Sequence, residues 1–391
     1  MTFPPLLISA GEASGDLHAG RLAAALRERG AGQLFGLGGP QMRAEGVDLV
    51  AESREVSVLG ITEILHRLPD LRRVFRRLLA EVDARRPPLA VLVDFPGFHL
   101  RLARHLRRRG VRNVYFIAPQ FWAWRPWRAR VVRRRFERVL CIFPFELDFY
   151  TLNGVDAEFI GHPLVGHVHP SAPQAELRHR WGLDAGRPVV ALLPGSRGRE
   201  VAQNLPPLVE AARELAATRQ AQFLLAAAPG LESAALAPAR ESGLGIRVIE
   251  GAAYDVLTAA DVSVVSSGTA TVEAALCGAP MVVVYRVSRM TAAMARPLIR
   301  APHFAMPNLI ARRPLVPELI QDAFTGPGVA REVARLLDFP GEREAMKRGL
   351  ASVEELLHGP RGDAIHRAAD VVCEMLRGDT TRGRDGTSYS E

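Results

Sequence analysis

Val189-Val190-Ala191-Leu192-Leu193-Pro194-Gly195-Ser196-Arg197-Gly198-Arg199-Glu200-Val201 decides how this chain is read. Val189 to Leu193 is a short apolar run with the character of a buried strand. Pro194 stops it, Gly195 to Gly198 make a tight turn, and a helical pattern begins near Glu200. Strand, glycine turn and helix aim backbone N–H groups and the positive end of a helix at one point. Arg197 and Arg199 add fixed charge there. A phosphate or diphosphate is the natural guest, although an ordinary βα turn that contains glycines has the same pattern.

The βα alternation continues on both sides. Downstream, Phe223–Ala227, Arg247–Ile249, Val262–Val265 and Met281–Tyr285 read as strands, the last closing a sheet. Ser266-Ser267-Gly268-Thr269-Ala270-Thr271-Val272-Glu273 is a second glycine–hydroxyl loop opening a helix. Glu273 lies one turn in, where a carboxylate suits the macrodipole and can accept two ribose hydroxyls. A first-turn glutamate is also ordinary helix-start chemistry. One loop for a diphosphate and one for a ribose, in the same half-chain, predict a nucleoside diphosphate site there.

Upstream, Leu6–Ile8, Leu34–Leu37, Leu89–Val93, Val114–Ile117 and Val139–Phe143 read as strands. After the first comes Ser9-Ala10-Gly11-Glu12-Ala13-Ser14-Gly15-Asp16, then a helix from Leu17 to Arg29 closed by Gly30. Its glycines have neither the dinucleotide-fingerprint spacing nor that of a nucleophile elbow. Leu89–Val93 ends at Asp94-Phe95-Pro96-Gly97-Phe98-His99. A carboxylate at the carboxyl end of a parallel strand sits where open α/β sheets place their chemistry, although it also serves as a loop cap. Two such halves predict an α/β protein of two Rossmann-like domains facing a cleft. At 391 residues the chain exceeds a single core.

Composition narrows the classes. The chain is 48% hydrophobic and 24% charged, that of an ordinary globular protein. It has no apolar stretch long enough to span a bilayer and no leader pattern at its first residues. Cys141, Cys277 and Cys373 are widely spaced and predict buried free thiols, and no cluster has metal-ligand spacing. The net charge is +8. Between Arg101 and Arg138 about a dozen arginines face almost no acid, a surface for nucleic acid, anionic lipid or a phosphorylated substrate.

Two further stretches have more than one reading each. In residues 61–79, Ile61, Ile64, Leu65, Leu68, Leu71, Val74, Phe75, Leu78 and Leu79 recur at helical spacing, and Arg67, Arg72, Arg73, Arg76 and Arg77 make the other face. Such a helix lies in a membrane interface or packs on a domain core. In Phe121-Trp122-Ala123-Trp124-Arg125-Pro126-Trp127, the tryptophans can stack on a sugar, cover an acyl chain or wedge two domains together.

Six blocks carry a family resemblance. They are Ala10–Asp16, Trp122-Ala123-Trp124-Arg125, Phe159-Ile160-Gly161-His162-Pro163, Leu193–Gly198, Ser267-Gly268-Thr269-Ala270-Thr271 and Pro307-Asn308-Leu309-Ile310-Ala311. Pro317-Glu318-Leu319-Ile320-Gln321 fits too. In this order, over roughly residues 5–375, the chain resembles the lipid-A-disaccharide synthases. The resemblance implies an inverting glycosyltransferase of the GT-B fold that joins UDP-2,3-diacylglucosamine to 2,3-diacylglucosamine 1-phosphate (lipid X), forming a β(1→6) disaccharide and UDP. It implies an acceptor domain at 1–168 completed by C-terminal helices at 350–376, a UDP-sugar domain at 169–349 and a disordered tail at 377–391.

Carried over block by block, the resemblance makes Asp94 the base. It gives the donor Gly195, Ser196, Arg197, Gly198, Ser267, Gly268, Thr269 and Glu273, with Asn308, Glu318 and Gln321 as further candidates. Gly11, Glu12, Ser14, Asp16, Trp122, Trp124 and Arg125 fall to the acceptor side. Because both substrates carry acyl chains, it favours membrane contact through Ile64, Leu65, Leu68, Leu71, Arg72, Phe75 and Arg76. The expected location is the cytoplasmic face of the inner membrane, on anionic lipid. No cofactor and no metal are implied, since no Asp-x-Asp triplet occurs. Nucleic acid is not an expected partner; a homodimer, with an exchanged C-terminal helix, stays open. The competing readings are another GT-B enzyme using UDP-N-acetylglucosamine (a peptidoglycan glycosyltransferase or an epimerase) and a noncatalytic basic lipid-surface protein.

Overall fold

The computed structural model describes residues 3–56, 61–287 and 302–378, and for 61–68 the backbone alone. The chain divides into two compact units, Met1–Pro163 with His358–Glu391, and Leu164–Leu357.

The first unit is built on seven parallel strands: β1 (Leu6–Ala10), β2 (Leu34–Gly38), β3 (Asp48–Glu52), β4 (Leu89–Val93), β5 (Arg112–Phe116), β6 (Arg138–Cys141) and β7 (Ala157–Phe159). Their order is β3-β2-β1-β4-β5-β6-β7. Every residue of β1 and β4 is buried, as expected of parallel strands covered on both faces, which explains their continuous apolar runs. The second unit has six: β8 (Val189–Leu193), β9 (Gln222–Ala227), β10 (Arg247–Glu250), β11 (Val262–Ser266), β12 (Met281–Tyr285) and β13 (Glu318–Ile320), ordered β10-β9-β8-β11-β12-β13. Strand order therefore reverses between β1 and β4 in one sheet and between β8 and β11 in the other. A reversal opens a crevice beyond the carboxyl ends of the two central strands, because the connections leave in opposite directions there.

Three strands escape the sequence reading. β3, β7 and β13 are edge strands with a half-buried face, and none has a continuous apolar run. β12 does not close its sheet; β13 pairs beyond it through Val283↔Glu318 and Tyr285↔Ile320.

The chain leaves the second unit later than expected. Helix Pro340–Leu357 buries Met346, Leu350, Val353 and Leu357 and packs on helices Thr269–Leu276 and Met306–Ala311. Residues 350–357 thus belong to the second unit rather than the first. The return is made by helix Ala364–Leu376, which packs on helix Ala13–Glu28. Asp363 caps it, accepting from the N–H groups of Ile365 and His366 at 2.9 Å each. Arg367, only 5% exposed, is fixed between Glu158 and Glu374. Arg29 pairs with Asp370 at 2.7 Å, and Arg112 donates to the Met375 carbonyl at 2.6 Å. Of the expected tail, residues 379–391 lie outside the described part.

Helix Ile61–Arg85 runs unbroken through Pro69. Leu71 and Phe75 are packed against the core of the first unit, Phe75 edge-on to Phe98 at 5.6 Å and to His105 at 5.2 Å. Both are half-buried on the face that buries Val74, Leu78 and Val82. Arg72 and Arg76 are exposed. The side chains of Ile64, Leu65 and Leu68 lie outside the described residues. Among the described residues no helix is long and apolar enough to cross a membrane.

Candidate active site

At the reversal in the first unit, the loops after β1 and β4 run side by side. Ser9↔Leu92 and Ala10↔Val93 are the last pairs of the register, so Gly11 and Asp94 leave the sheet together. A side chain at Gly11 would run into the Phe95 ring, which lies over its backbone. Glycine there is a condition for close packing of the two loops. Asp94 and Phe95 are both left-handed, with φ of 48° and 50°. Two consecutive non-glycine residues in that region cost on the order of 1–2 kcal/mol each, so the surroundings must hold them.

The surroundings do so through the Asp94 backbone. Its N–H donates to Phe116 O at 3.0 Å. Its carbonyl accepts from the Tyr115 hydroxyl at 3.1 Å and stands 2.7 Å from His99 Nδ1. His99 Nε2 lies 2.8 Å from Ser9 Oγ. Burial drops the His99 pKa to about 4, so the ring is neutral near pH 7 and carries one N–H. A carbonyl can only accept, so that proton is on Nδ1 and the Ser9 hydroxyl donates to Nε2. Pro96 then opens helix Pro96–Arg107. The Asp94 carboxylate is left part-exposed at the sheet's carboxyl edge.

After β5, Trp122 stands edge-on to Phe145 at 4.9 Å, and Arg125 lies over the Trp124 ring at 4.1 Å. Trp124 and Trp127 are exposed at 37% and 56%, an aromatic surface with a cation beside it. Glu12 and Ser14 sit at the start of helix Ala13–Glu28, Ser14 exposed. Glu146, in the first turn of helix Pro144–Leu152, is fully buried. Burial pushes its pKa up to about 8, against the Phe143 N–H that its carboxyl accepts. His162, also buried, is pushed down to about 3 by desolvation.

At the reversal in the second unit, Gly195 to Arg199 form a mostly exposed loop, and helix Gly198–Arg219 starts within it. Gly195 has φ 124°, and a side chain there would strike the Glu200 carboxyl. Glu200 joins the two loops of this unit. One oxygen accepts from Ser196 N–H at 3.3 Å and the other from Ser266 Oγ at 2.5 Å. Asn204, 1% exposed, donates to Pro194 O at 2.8 Å and reaches Ser266 Oγ at 3.3 Å. Across from this loop, Gly268 at φ 149° precedes helix Thr269–Leu276, and Gly268 and Thr269 are exposed. Ser267 Oγ donates to Phe304 O at 2.8 Å. Glu273 accepts from the Tyr254 hydroxyl at 3.1 Å; burial raises its pKa, opposed by that hydrogen bond. Two helix N-termini, Arg197 and a carboxylate one turn in thus meet at one sheet edge.

Four expected ligand residues are used inside the fold instead. Asp16, 2% exposed, accepts from the N–H groups of Gly39 at 2.6 Å, Gln41 at 2.9 Å and Met42 at 3.2 Å. It caps the neighbouring helix Pro40–Ala44. Asn308, 1% exposed, accepts from Leu315 and Val316 N–H at 2.7 and 2.8 Å and donates to Val316 O and to Glu318. Glu318 accepts from Phe304 and Ala305 N–H, at the start of helix Met306–Ala311. With its amide oxygen and nitrogen assigned to satisfy both neighbours, Gln321 donates to Val287 O at 3.1 Å and accepts from Val287 N–H at 3.2 Å. All four hold loops in place through backbone groups, and Asn308 also donates to the Glu318 carboxylate at 2.7 Å.

Ser9, His99, Tyr115, Glu200, Asn204 and Tyr254 were not singled out by the sequence. His99 and Glu200 stand inside the quoted motifs, and their only signal is a polar residue on the buried side of a helix's first turn. Ser9 opens the quoted Ser9–Asp16 stretch at the end of apolar β1, and Tyr115, within apolar β5, carries none. Among the described residues no three His, Cys, Asp or Glu side chains converge to hold a metal.

Comparison with known proteins bears on this arrangement. The family model described as lipid-A-disaccharide synthetase matches residues 6–354. Lipid-A-disaccharide synthase of Solibacter usitatus is 44% identical over 97% of this chain and 99% of its own, and that of Myxococcus xanthus is 43% identical over 96% and 99%. Among solved structures, UDP-GlcNAc 2-epimerase of Neisseria meningitidis bound to UDP-GlcNAc superposes with a TM-score of 0.62 at 9% identity, over 97% of this chain and 100% of that one. The glycotransferase of kitacinnamycin gives 0.63 at 19%, over 96% and 99%. These structural likenesses show the GT-B fold and nothing finer. The sequence relationships, spanning both reversals, place this chain in the lipid-A-disaccharide synthase family, a family of glycosyltransferases.

Proposed function

We propose that the protein transfers the 2,3-diacylglucosaminyl group of UDP-2,3-diacylglucosamine to the 6-hydroxyl of 2,3-diacylglucosamine 1-phosphate, with inversion, giving the β(1→6) disaccharide 1-phosphate and UDP. The observation that carries this beyond family membership is the division of chemistry between the two reversals. One presents a carboxylate on a fixed backbone, and the other presents Arg197 with two helix N-termini.

In this reading Asp94 takes the proton of the acceptor hydroxyl as its oxygen bonds to the donor's anomeric carbon. The bond from that carbon to the diphosphate breaks, and both its electrons leave with UDP. Arg197, the amides of the Gly195–Gly198 turn and the N-terminus of helix Thr269–Leu276 receive the charge. Glu273 accepts from ribose hydroxyls, with Tyr254 fixing its carboxylate. Glu12, Ser14, Trp122, Trp124 and Arg125 line the acceptor side.

Acyl chains keep both substrates in a bilayer, so the protein works on the cytoplasmic face of the inner membrane. Exposed Arg72 and Arg76, with Arg73, Arg77 and Pro69, line a shallow concavity on helix Ile61–Arg85 suited to anionic headgroups. Such adsorption weakens with salt.

The test is incubation of the purified protein with both substrates, following UDP release and disaccharide by mass spectrometry. UDP-N-acetylglucosamine offered in place of the acylated donor separates the competing enzyme reading. Turnover of that sugar, with none of the acylated pair, would overturn the proposal.

A further inference from the structure

The Asp94 carboxylate is aimed by its own main chain, and that main chain is in a conformation the residue does not favour. Asp94 and its successor are both left-handed, and no glycine relieves either. Three side chains with no exposed surface secure them. Tyr115 and His99 converge on the Asp94 carbonyl at 3.1 and 2.7 Å, and Ser9 backs His99 at 2.8 Å. The three come from three elements: β1, β5 and helix Pro96–Arg107. A loop cap whose only task was to end β4 would need none of this, since a glycine at position 94 or 95 would serve without strain. Packing alone does not call for it either, because polar atoms in a dry core are tolerated only where each finds its partner.

We propose that Ser9, His99 and Tyr115 are positioning residues of the transfer reaction. Through the carbonyl of Asp94 they hold its carboxylate at the angle proton abstraction requires. The proposal rests on the reading of Asp94 as the base. Ser9 acts one step back, by fixing the imidazole tautomer that donates from Nδ1.

Two substitutions at one position separate aim from packing. In His99→Asn the amide nitrogen falls near the place of Nδ1 and keeps a donor for the Asp94 carbonyl. In His99→Gln the amide reaches the place of Nε2, keeps a partner for Ser9 and loses that donor. His99→Gln is expected to lower kcat roughly 10–100-fold, with KM for both substrates and UDP affinity unchanged. His99→Asn should stay within about threefold of the natural protein. Tyr115→Phe, which deletes one buried oxygen, should fall between them, and it carries the test alone if neither His99 variant folds.

Equal kcat in the two His99 variants, or losses that follow melting temperature rather than the retained donor, would overturn the proposal. If only Tyr115→Phe folds, an unchanged kcat does the same. Asp94→Ala is assayed alongside. If it turns over normally, the base reading falls and takes the positioning role with it. If it is inactive while His99→Gln keeps full kcat, the positioning role alone is lost.

Discussion

Between β1 and β4 the backbone is distorted and side chains hold it; between β8 and β11 the backbone is relaxed by glycine and presents itself. The first reversal spends Ser9, His99 and Tyr115, all buried, on one carbonyl, and leaves a carboxylate at the surface. The second puts Gly195 and Gly268 where φ is positive, and leaves N–H groups and Arg197 at the surface. Under the proposed function, both follow from what each partner demands. A base must be aimed at one proton within a few tenths of an ångström, which side-chain chemistry on a stiff frame achieves. A diphosphate is large, multiply charged and met by several donors at once, which main-chain amides at a helix start supply without any one being indispensable.

The sharpest way to break this contrast is Asp94→Ala. Loss of a general base should lower kcat by about 10²–10⁴-fold while UDP affinity, measured by calorimetry, stays as it was. A parallel loss of UDP affinity would mean the two reversals do not divide the work. Next in size is Asn308→Ala. It orphans the Leu315 and Val316 N–H groups and removes a donor from Glu318, so thermal unfolding should show a loss of roughly 3 kcal/mol. A stable variant with impaired UDP binding would return Asn308 to the donor site.

Arg197→Ala should weaken UDP by roughly 10–100-fold, the worth of a charged hydrogen bond, yet leave uridine binding unmoved. Glu273→Gln should do the reverse on a smaller scale, weakening UDP and uridine alike by a few-fold, because a ribose contact is common to both. Together the two variants map phosphate and sugar ends of the loop pair, and equal effects on both ligands in both variants would erase that map.

The smallest effect concerns pH. His99 and His162 have pKa values below their unfolded one, about 4 and about 3 against 6.5, so the stability tied to their neutral forms is full above pH 6.5 and is lost as pH falls toward those values. Glu146 is opposite in sign. Its pKa is raised from 4.5 to about 8, so the stability tied to its protonated form is present at low pH and lost as pH rises toward 8. The first unit should be most stable near pH 6. Glu146→Gln should flatten the alkaline side of a melting-temperature profile and steepen the acid side above pH 4.5, where the unfolded carboxyl has already ionised; an unaltered profile would show that Glu146 does not titrate as a buried acid.

Much of this was open to reading in the chain itself. The runs Leu89–Val93, Val189–Leu193 and Met281–Tyr285 coincide with strands, because residues buried on both faces must be apolar throughout. Gly195, Arg197, Gly268 and Asp94 stand at the two reversals because loops at strand carboxyl ends are sequence-local features. Of the edge strands, β3, β7 and β13 were hidden, since one half-buried face leaves a pattern no stronger than a loop's. So was the difference between a ligand residue and a cap. Asp16, Asn308, Glu318 and Gln321 lie in motif-like surroundings, yet their partners are backbone groups contributed by other segments, and spacing does not record which N–H a carboxylate will meet. Ser9, His99 and Tyr115 are the same problem inverted: their role exists only once β1, β4 and β5 are adjacent.

The return of helix Ala364–Leu376 has a consequence for the order in which the protein is made. Glu158, Arg29 and Arg112 are synthesised long before Arg367, Asp370 and Met375, with the entire second unit translated in between. The nascent first unit therefore waits with one flank of helix Ala13–Glu28 unclothed, while residues 164–357 emerge as an uninterrupted stretch able to fold as they appear. The unit that holds Asp94 is begun first and finished last, so a ribosome that stalls before Ala364 releases a chain with its second unit assembled and its first unit still open.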